Sequence, residues 1–263
     1  MPIDFHADNN RFSYASRQAD ASWIAAIQEI IDVRGKKVAD IACGGGIYAK
    51  ALASMGTASV TGVDFSEVSL KVAQENCRDY ASINFAIGNA LNTGLSDNQF
   101  DLVLERALIH HLGRNDVQVC FAEALRLLKS GGKLIVQDRT PGDCLLPGGA
   151  KNIRGYFFSR YSKLIEKEIE RRFDSEFVIS TLQEVGFQDV ERHKLWEIRK
   201  IYPNFEALRQ ELLARTGRSL LHELTDEELQ DLTVYIQGQL QLQDGQEIVE
   251  QDRWTIWSAR KGE

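Results

Sequence analysis

The sequence has 263 residues, 43% hydrophobic and 26% charged, which excludes disordered and fibrous proteins and leaves enough apolar residues for a sizeable core. Lysine and arginine total 31 against 38 acidic residues, a formal charge of −7 that disfavours nucleic acid as a bulk electrostatic partner. No apolar run reaches the roughly 18 residues of a membrane span, and no basic and apolar leader opens the sequence. We therefore expect a cytoplasmic protein with no membrane partner.

The first part of the chain alternates strand and helix patterns. It predicts, in order, a helix over 20–31, a strand over 37–42, a helix over 47–55, a strand over 59–65, a helix over 67–76, strands over 82–88 and 100–105, a helix over 117–129 and a strand over 133–138. Strands rich in Val, Ile and Leu that alternate with helices are typical of a parallel sheet covered on both faces. The pattern therefore predicts an α/β fold with a doubly wound sheet.

The second part is more helical. It predicts helices over 152–173 and 175–187, a strand over 189–198, a polar helical insert over 204–243 and a strand over 252–261. Apolar residues alternate with polar ones in the last strand, which indicates an exposed-face or edge strand. Basic residues outnumber acids around the helix over 152–173, and a solvated face is the usual explanation of such a charge run.

The four cysteines are widely separated and form no C-x-x-C pair, which argues against a zinc site or a redox couple. We expect reduced, buried thiols and no metal site. No Pro- or Ser-rich linker divides the chain, which favours one elaborated domain.

A glycine turn joins the first strand to the next helix. Gly44 and Gly46 let the backbone approach a ligand closely, and with Ala49 they fit a variant of the dinucleotide fingerprint, so a nicotinamide or flavin enzyme stays open. Asp40 argues for another ligand, since a carboxylate at this strand end would repel a pyrophosphate and suit a cationic group. Asp64 closes the second strand, where it can accept hydrogen bonds from both ribose hydroxyls. Both placements suit a nucleoside that carries an amino acid.

The segments VADIACGGG, VTGVDFS, GNA at 88–90, FDLVLERALIHHL and EALRLLKSGGKLIVQD resemble, in order and spacing, the class I S-adenosylmethionine-dependent methyltransferases. The resemblance covers residues 20–140. It implies a Rossmann-like, mostly parallel seven-stranded sheet with an antiparallel C-terminal strand. It also implies S-adenosyl-L-methionine as the cofactor and in-line transfer of its sulfonium methyl group to an acceptor.

The same resemblance implies cofactor contacts from the ends of the first four strands. They are Asp40, Ala42, Gly44 and Gly46 with the methionine part, Asp64 with the ribose, Phe65, Asn89 and Ala90 with the adenine, and Glu105 and Arg106 along the cofactor. Ala42 stands where the family usually has glycine, and alanine fits if its φ is negative. Asn89 stands where Asp is common, and its carbonyl can still accept a hydrogen bond from the adenine amine. Tyr14, in an N-terminal segment that would close over the cofactor, is a further candidate.

His110 and His111 follow the fourth strand as candidate catalytic residues. Adjacent helical residues point about 100° apart, so the pair cannot share one face as metal ligands. One of them could face the substrate as a general base, and a structural or capping role stays equally open.

We expect a single methyltransferase domain with two inserts. Its parts are a lid over 1–19, a cofactor-binding core over 20–140, a helical insert over 141–173, a core helix and strand over 174–201, a second helical insert over 202–246 and a final strand over 247–263. The inserts would form the pocket of a small-molecule methyl acceptor. A protein or RNA methyltransferase and a non-catalytic cofactor-binding or dehydrogenase-like protein are the alternatives. The sequence predicts neither the acceptor's identity nor the oligomeric state.

Overall fold

The computed structural model describes residues 19–243 and 245–263. Its strands are β1 (Lys37–Ile41), β2 (Ser59–Asp64), β3 (Ile83–Ile87), β4 (Phe100–Arg106), β5 (Leu128–Asp138), β6 (Phe187–Tyr202) and β7 (Ile248–Lys261). Its helices are α1 (Ala21–Ile30), α2 (Ile47–Ser54), α3 (Glu67–Asn76), α4 (Arg114–Leu127), α5 (Pro141–Cys144), α6 (Gly155–Arg160), α7 (Lys163–Ile169), α8 (Ser175–Val185), α9 (Phe205–Leu213) and α10 (Asp226–Leu240). Among the described residues, none of these helices is long and apolar enough to cross a membrane.

The strands form one seven-stranded sheet in the order β3-β2-β1-β4-β5-β7-β6. The pairs among β1 to β5 are parallel. β7 pairs with β5 in the antiparallel direction, with Asp138 opposite Thr255. The predicted doubly wound sheet with an antiparallel C-terminal strand is therefore confirmed.

The C-terminal strand is not an edge strand, so that part of the prediction is wrong. β7 lies between β5 and β6, and Ile256 and Trp257 are both buried. The polar residues that alternate with them, Thr255 and Ser258, are buried as well. Trp257 Nε1 donates a hydrogen bond to Ser175 Oγ at 2.9 Å. The alternation therefore reflects small polar side chains that are buried within the sheet.

Local signals explain where several helices begin and end. Ser66 Oγ accepts the backbone N–H of Ser69 at the start of α3. Thr225 and Glu228 form a reciprocal capping box at the start of α10. Gly186 ends α8 with a φ of +113°, a conformation that glycine adopts without strain. These boundaries lie where the capping residues predict them.

The four cysteines, Cys43, Cys77, Cys120 and Cys144, are all buried and unbridged, as expected. Burial raises the pKa of the Cys77 thiol to about 11 and that of the Cys144 thiol to about 11. These thiols therefore pack as small apolar groups and stay protonated at neutral pH.

Contacts divide the described chain into two compact units. The sheet unit consists of residues 19–138, Asp174–Leu195 and Thr255–Glu263, and the helical unit of Arg139–Phe173 and Trp196–Trp254. β6 and β7 contribute residues to both units. Both predicted inserts lie in the helical unit, which has an apolar core of its own. The single domain with two inserts stays a prediction.

The predicted helix over 152–173 is divided into α6 and α7. Its basic residues form a solvated face only in part, because Lys151, Arg160, Lys163 and Lys167 are exposed whereas three arginines are not. Arg154, Arg171 and Arg172 pair with the buried carboxylate of Glu168. A single buried acid therefore gathers side chains that a charge count assigns to solvent.

Candidate functional site

The ends of β1, β2 and β3 place the predicted site residues along one edge of the sheet unit. In the parallel register, Asp40 lies beside Gly62, and Asp64 lies beside Ile87. The carboxyl ends of parallel strands share an edge, so the loops that follow these strands are neighbours. Open α/β sheets bind ligands at such an edge.

The turn between β1 and α2 is built from residues in the left-handed region. Ala42, Gly44 and Gly46 have φ values of +60°, +52° and +77°. The condition under which alanine fits, a negative φ, is therefore not met at Ala42, and this conformation costs an alanine roughly 1–2 kcal/mol. The next residue explains it, because the N–H of Cys43 continues the parallel ladder to the carbonyl of Val63 at 3.0 Å. To bring the N–H of Cys43 to this carbonyl, the chain turns sharply at the residue before it, Ala42.

Asp64 joins two loops at this edge. Its Oδ2 accepts the backbone N–H of Gly44 at 2.9 Å, and its Oδ1 accepts the N–H of Ser66 at 2.9 Å. Asp64 therefore orders both the glycine turn and the start of α3.

Apolar side chains flank Asp64. Phe65 is 54% exposed and Ile87 is 59% exposed, although both are large hydrophobic residues. Next along the chain, Asn89 Oδ1 accepts the N–H of Leu91 at 2.9 Å, in a turn that includes Ala90. The edge thus combines apolar surface with an amide, a chemistry suited to a flat, polar-rimmed ring.

Asp40 is a buried acid behind the glycine turn. Its Oδ2 has no hydrogen-bond partner among the described residues. Burial and then the nearby charge of Asp64 raise its pKa to about 7, although Arg106 and the backbone N–H of Ala49 act in the opposite direction. A cation that approached this carboxyl group would favour its ionised form.

Arg106, at the end of β4, packs on an aromatic pair. Its guanidinium carbon lies 4.0 Å from the ring centroid of Tyr48, which itself packs edge-on against Trp23 at 4.8 Å. Trp23 Nε1 donates to the buried Gln137 Oε1 at 2.8 Å. Sequence reasoning did not select Tyr48, although an aromatic residue directly after the glycine turn was a usable signal.

Glu105 points into the packing layer under α4. Its Oε1 accepts the thiol of Cys120 at 3.4 Å, and its Oε2 has no partner among the described residues. Burial raises its pKa to about 7. This environment favours a role in the core, and the predicted contact of Glu105 with a cofactor stays a prediction.

His110 pairs with an acid that sequence reasoning missed. Its Nδ1 lies 2.8 Å from Asp138 Oδ2 and 3.0 Å from Oδ1, and its backbone N–H donates to Oδ2 at 3.3 Å. Asp138 ends β5 just as Asp40 and Asp64 lie at or near the ends of β1 and β2, a pattern that could have revealed it. An imidazole oriented by a buried carboxylate is the arrangement of a general base.

His110 and His111 occupy a 3-10 helix over Ile109–His111, and their ring centroids are 4.0 Å apart with a tilt of 41°. The expected separation of adjacent helical side chains therefore does not keep the rings apart. Within 19–243 and 245–263, no group of three or more His, Cys, Asp or Glu residues could hold a metal ion. Tyr14 lies outside the described residues.

Comparisons with known proteins find similarity to methyltransferases. A family model described as a methyltransferase domain matches residues 39–136. The demethylmenaquinone methyltransferase of Tropheryma whipplei is 27% identical over 188 residues, which cover 67% of this chain and 77% of that protein. The ubiquinone biosynthesis O-methyltransferase of Coxiella burnetii is 35% identical over 109 residues, 41% of this chain and 45% of that protein.

Solved structures share the fold. Phosphoethanolamine N-methyltransferase 2 of Haemonchus contortus, in complex with S-adenosyl-L-methionine, superimposes with a TM-score of 0.63. The match covers 99% of this chain and 60% of that chain at 20% sequence identity. An identity this low establishes a common architecture alone.

Proposed function

This chain belongs to the class I S-adenosylmethionine-dependent methyltransferases, and we propose that it methylates a small molecule that must lose a proton as it reacts. The buried His110–Asp138 pair is the observation that carries this proposal. The relatives support a small acceptor, because two of them are named for methylation in menaquinone and ubiquinone biosynthesis. This function is the basis for the roles that follow.

The residues around the glycine turn fit the methionine part of the donor. The left-handed turn exposes backbone N–H groups at the start of α2, which suit a carboxylate. The buried carboxyl of Asp40, with an oxygen that lacks a partner among the described residues, suits an ammonium group. S-adenosylmethionine supplies a methyl group that its sulfonium already activates, so the protein mainly has to align donor and acceptor and exclude water.

The edge beyond the turn fits the nucleoside. Asp64 would accept hydrogen bonds from the ribose hydroxyls at the end of β2, where it also holds the backbone of Gly44 and Ser66. Phe65 and Ile87 offer apolar surface to the adenine ring, and the amide of Asn89 offers hydrogen-bonding groups to its edge. Ala90, Ala42 and Gly46 would contact the donor through the backbone. Arg106 and Tyr48 would border it.

His110 would take the proton of the acceptor. We assign the ring proton to Nδ1, because the ionised Asp138 carboxylate accepts a hydrogen bond there, and Nε2 would then be the basic nitrogen. The carboxylate also stabilises the imidazolium that forms, as it does in other oriented histidine bases. We assign Asp138 a positioning role, since it would act through His110.

A macromolecular acceptor has less support. Several basic residues of segment 151–172 are neutralised within the helical unit: Arg160 pairs with Asp231, and Lys163 pairs with Glu228. The net charge of −7 adds no general attraction for nucleic acid. A small acceptor therefore explains the described charges better than RNA does.

The experiment combines donor binding with methyl transfer. Titration calorimetry should find saturable binding of S-adenosylhomocysteine, and labelled S-adenosylmethionine should methylate members of a panel of small phenols, catechols and quinols. His110→Gln should lower kcat about 10²–10⁴-fold with little change in donor affinity, the size of general-base effects. His193→Gln, a half-exposed histidine in the same unit, is the matched control. Equal turnover in wild type and His110→Gln across the pH range would exclude the base assignment.

A further inference from the structure

The last residue of α3 reaches the glycine turn between β1 and α2. Asn76 Nδ2 donates a hydrogen bond to the carbonyl oxygen of Gly45 at 2.9 Å. The two residues are 31 positions apart in the chain, so this bond is a tertiary contact between α3 and the turn. Asp64 holds the turn from another side, through the N–H of Gly44. Asn76 is therefore a second support of the turn, from a different element.

The peptide bond between Gly45 and Gly46 is held at both of its polar groups. The carbonyl of Gly45 accepts the hydrogen bond of Asn76, and the N–H of Gly46 donates to the carbonyl of Cys43 at 3.0 Å. Because a peptide unit is planar, the two bonds together fix its orientation. Without Asn76 the plane would be held at one end only, between two glycines whose backbone has wide conformational freedom.

The same helix also holds the next peptide bond. The carbonyl of Gly46 accepts the N–H of Lys50 at 2.9 Å and the thiol of Cys77 at 3.5 Å. Burial raises the pKa of this thiol to about 11, so it stays protonated and can donate. The C=O and N–H of a trans peptide point in opposite directions. The bonds to Gly46 therefore also set the direction of the N–H of Ile47, the first residue of α2.

α3 packs closely against the turn that it supports. A Cβ atom on Gly46 would lie 3.0 Å from Cys77 Sγ and 3.1 Å from Ala73 Cβ, and one on Gly45 would lie 3.5 Å from Val72 Cγ1. The backbone of the turn thus rests directly on the side chains of α3. Packing limits how far the turn can move towards α3, and the hydrogen bond of Asn76 limits how its peptide can rotate.

We propose that Asn76 is a positioning residue for the methionine part of the methyl donor. This inference rests on the proposed function, in which N–H groups of the glycine turn bind the carboxylate of the donor. Asn76 would act through the peptide bond of Gly45 and Gly46, not by contact with the donor. A turn that is already ordered lowers the cost of binding. Loss of Asn76 should therefore weaken the contacts with the methionine part and spare those that Asp64 and Phe65 make with the nucleoside.

Titration calorimetry with two ligands tests this role. S-adenosylhomocysteine carries the amino-acid carboxylate, whereas 5′-methylthioadenosine has the nucleoside and the thioether but no amino acid. Asn76→Ala should weaken the binding of S-adenosylhomocysteine about three- to tenfold, the scale of one neutral hydrogen bond. Its affinity for 5′-methylthioadenosine should equal that of wild type. Gln74→Ala removes an exposed amide from the same helix, and this matched control should bind both ligands as wild type does.

Asn76→Leu provides a second variant. It keeps a branched side chain and a good helix former at this position but removes the N–H donor, so it should show the same selective loss even if the alanine variant does not fold. An unchanged Kd for S-adenosylhomocysteine in a folded variant would overturn the proposal. An equal loss for both ligands would overturn it too, because it would indicate a general loosening of α3. If wild type does not bind S-adenosylhomocysteine at all, the proposed function itself is wrong, and the role of Asn76 is wrong with it.

Discussion

Two buried acids in the sheet unit combine high pKa values with different surroundings. Asp40 and Glu105 both have a pKa of about 7, mainly because burial disfavours the charged carboxylate. Asp40 stands next to the glycine turn and is further affected by Asp64. Glu105 contacts the Cys120 thiol in the packing layer. The same physical effect therefore acts at a candidate binding position and at a core position.

The raised pKa of Asp40 predicts how the stability of the fold depends on pH. The folded protein holds its proton more tightly than the unfolded chain, whose carboxyl group has a pKa near 3.8. This stabilisation is complete below that value and is lost as pH rises through about 7. Asp40→Asn should therefore reduce the fall in Tm between about pH 5 and about pH 8, measured by calorimetry. Asp79→Asn, a change at an exposed acid, should leave that slope unaltered.

Asp64 has two roles, and its removal tests both. Asp64→Ala should weaken the binding of S-adenosylhomocysteine by about 1.5–3 kcal/mol, the scale of hydrogen bonds to a charged group. Part of this loss will come from the glycine turn, because Asp64 accepts the N–H of Gly44. Titration calorimetry measures the effect, and Glu67→Ala at the nearby exposed start of α3 serves as the control. An unchanged Kd in a folded Asp64→Ala variant would mean that other residues hold the ribose.

At the scale of elements, a second buried ion network joins parts of the helical unit. Glu250 at the start of β7 accepts hydrogen bonds from Arg218 at 2.6 Å, Tyr202 at 3.0 Å and Arg199 at 3.3 Å. Glu211 on α9 pairs with the same two arginines. Two acids therefore contact the same two arginines, and Lys200 also pairs with Glu211.

Removal of one member of this network should be costly. Glu250→Gln removes one of the two acids that both buried arginines contact, and we expect a loss of about 3–5 kcal/mol in the free energy of unfolding. Asp231→Asn, which breaks the exposed pair with Arg160, should have little effect. Urea denaturation of the two variants measures the contrast. Equal stability of Glu250→Gln and wild type would show that the network adds nothing to the fold.

Two nearby residues of α10 differ in burial, and together they test how much the packing of this helix stabilises the fold. Leu232 is fully buried in the apolar core of the helical unit, whereas Val234, two residues away, is 67% exposed. Leu232→Ala should cost about 2–5 kcal/mol, because a cavity remains in a shared core. Val234→Ala should change the free energy of unfolding by less than about 0.5 kcal/mol. Denaturation curves measure both, and similar losses would contradict the observed burial.

The sequence predicts elements well where local chemistry decides them. Ser66 and Thr225 predict where α3 and α10 begin, because their hydroxyl groups can accept hydrogen bonds from the free N–H groups of the first helical turn. The position of β7 inside the sheet could not be predicted, since Thr255 and Ser258 look like solvent-facing residues until their covered surroundings are known. The burial of Arg154 and Arg172 has a similar origin, because it depends on their ion pairs with the buried Glu168.

At the scale of the whole molecule, the sequence also predicts those site residues that local patterns mark, but not those that tertiary contacts bring together. Asp40 and Asp64 could be selected from the sequence because each lies at or near the end of a strand beside a glycine-rich or polar turn. The partnership of His110 with Asp138 joins positions that are 28 residues apart, and only the sheet brings them together. The positive φ of Ala42 depends on the ladder to β2, which an isolated glycine pattern does not reveal.

The cofactor assignment predicts a stability response of the whole molecule. A ligand that binds only the folded state stabilises it by RT ln(1 + [L]/Kd), about 2.7 kcal/mol at a hundred times Kd. S-adenosylhomocysteine and S-adenosylmethionine should therefore raise Tm, whereas NAD should do little, because the carboxyl group of Asp40 disfavours a pyrophosphate at the glycine turn. Thermal shift at matched concentrations measures this, with Asp64→Ala as the binding-deficient control. A larger shift with NAD would mean that the turn accepts a dinucleotide and that the proposed role of Asp40 is wrong.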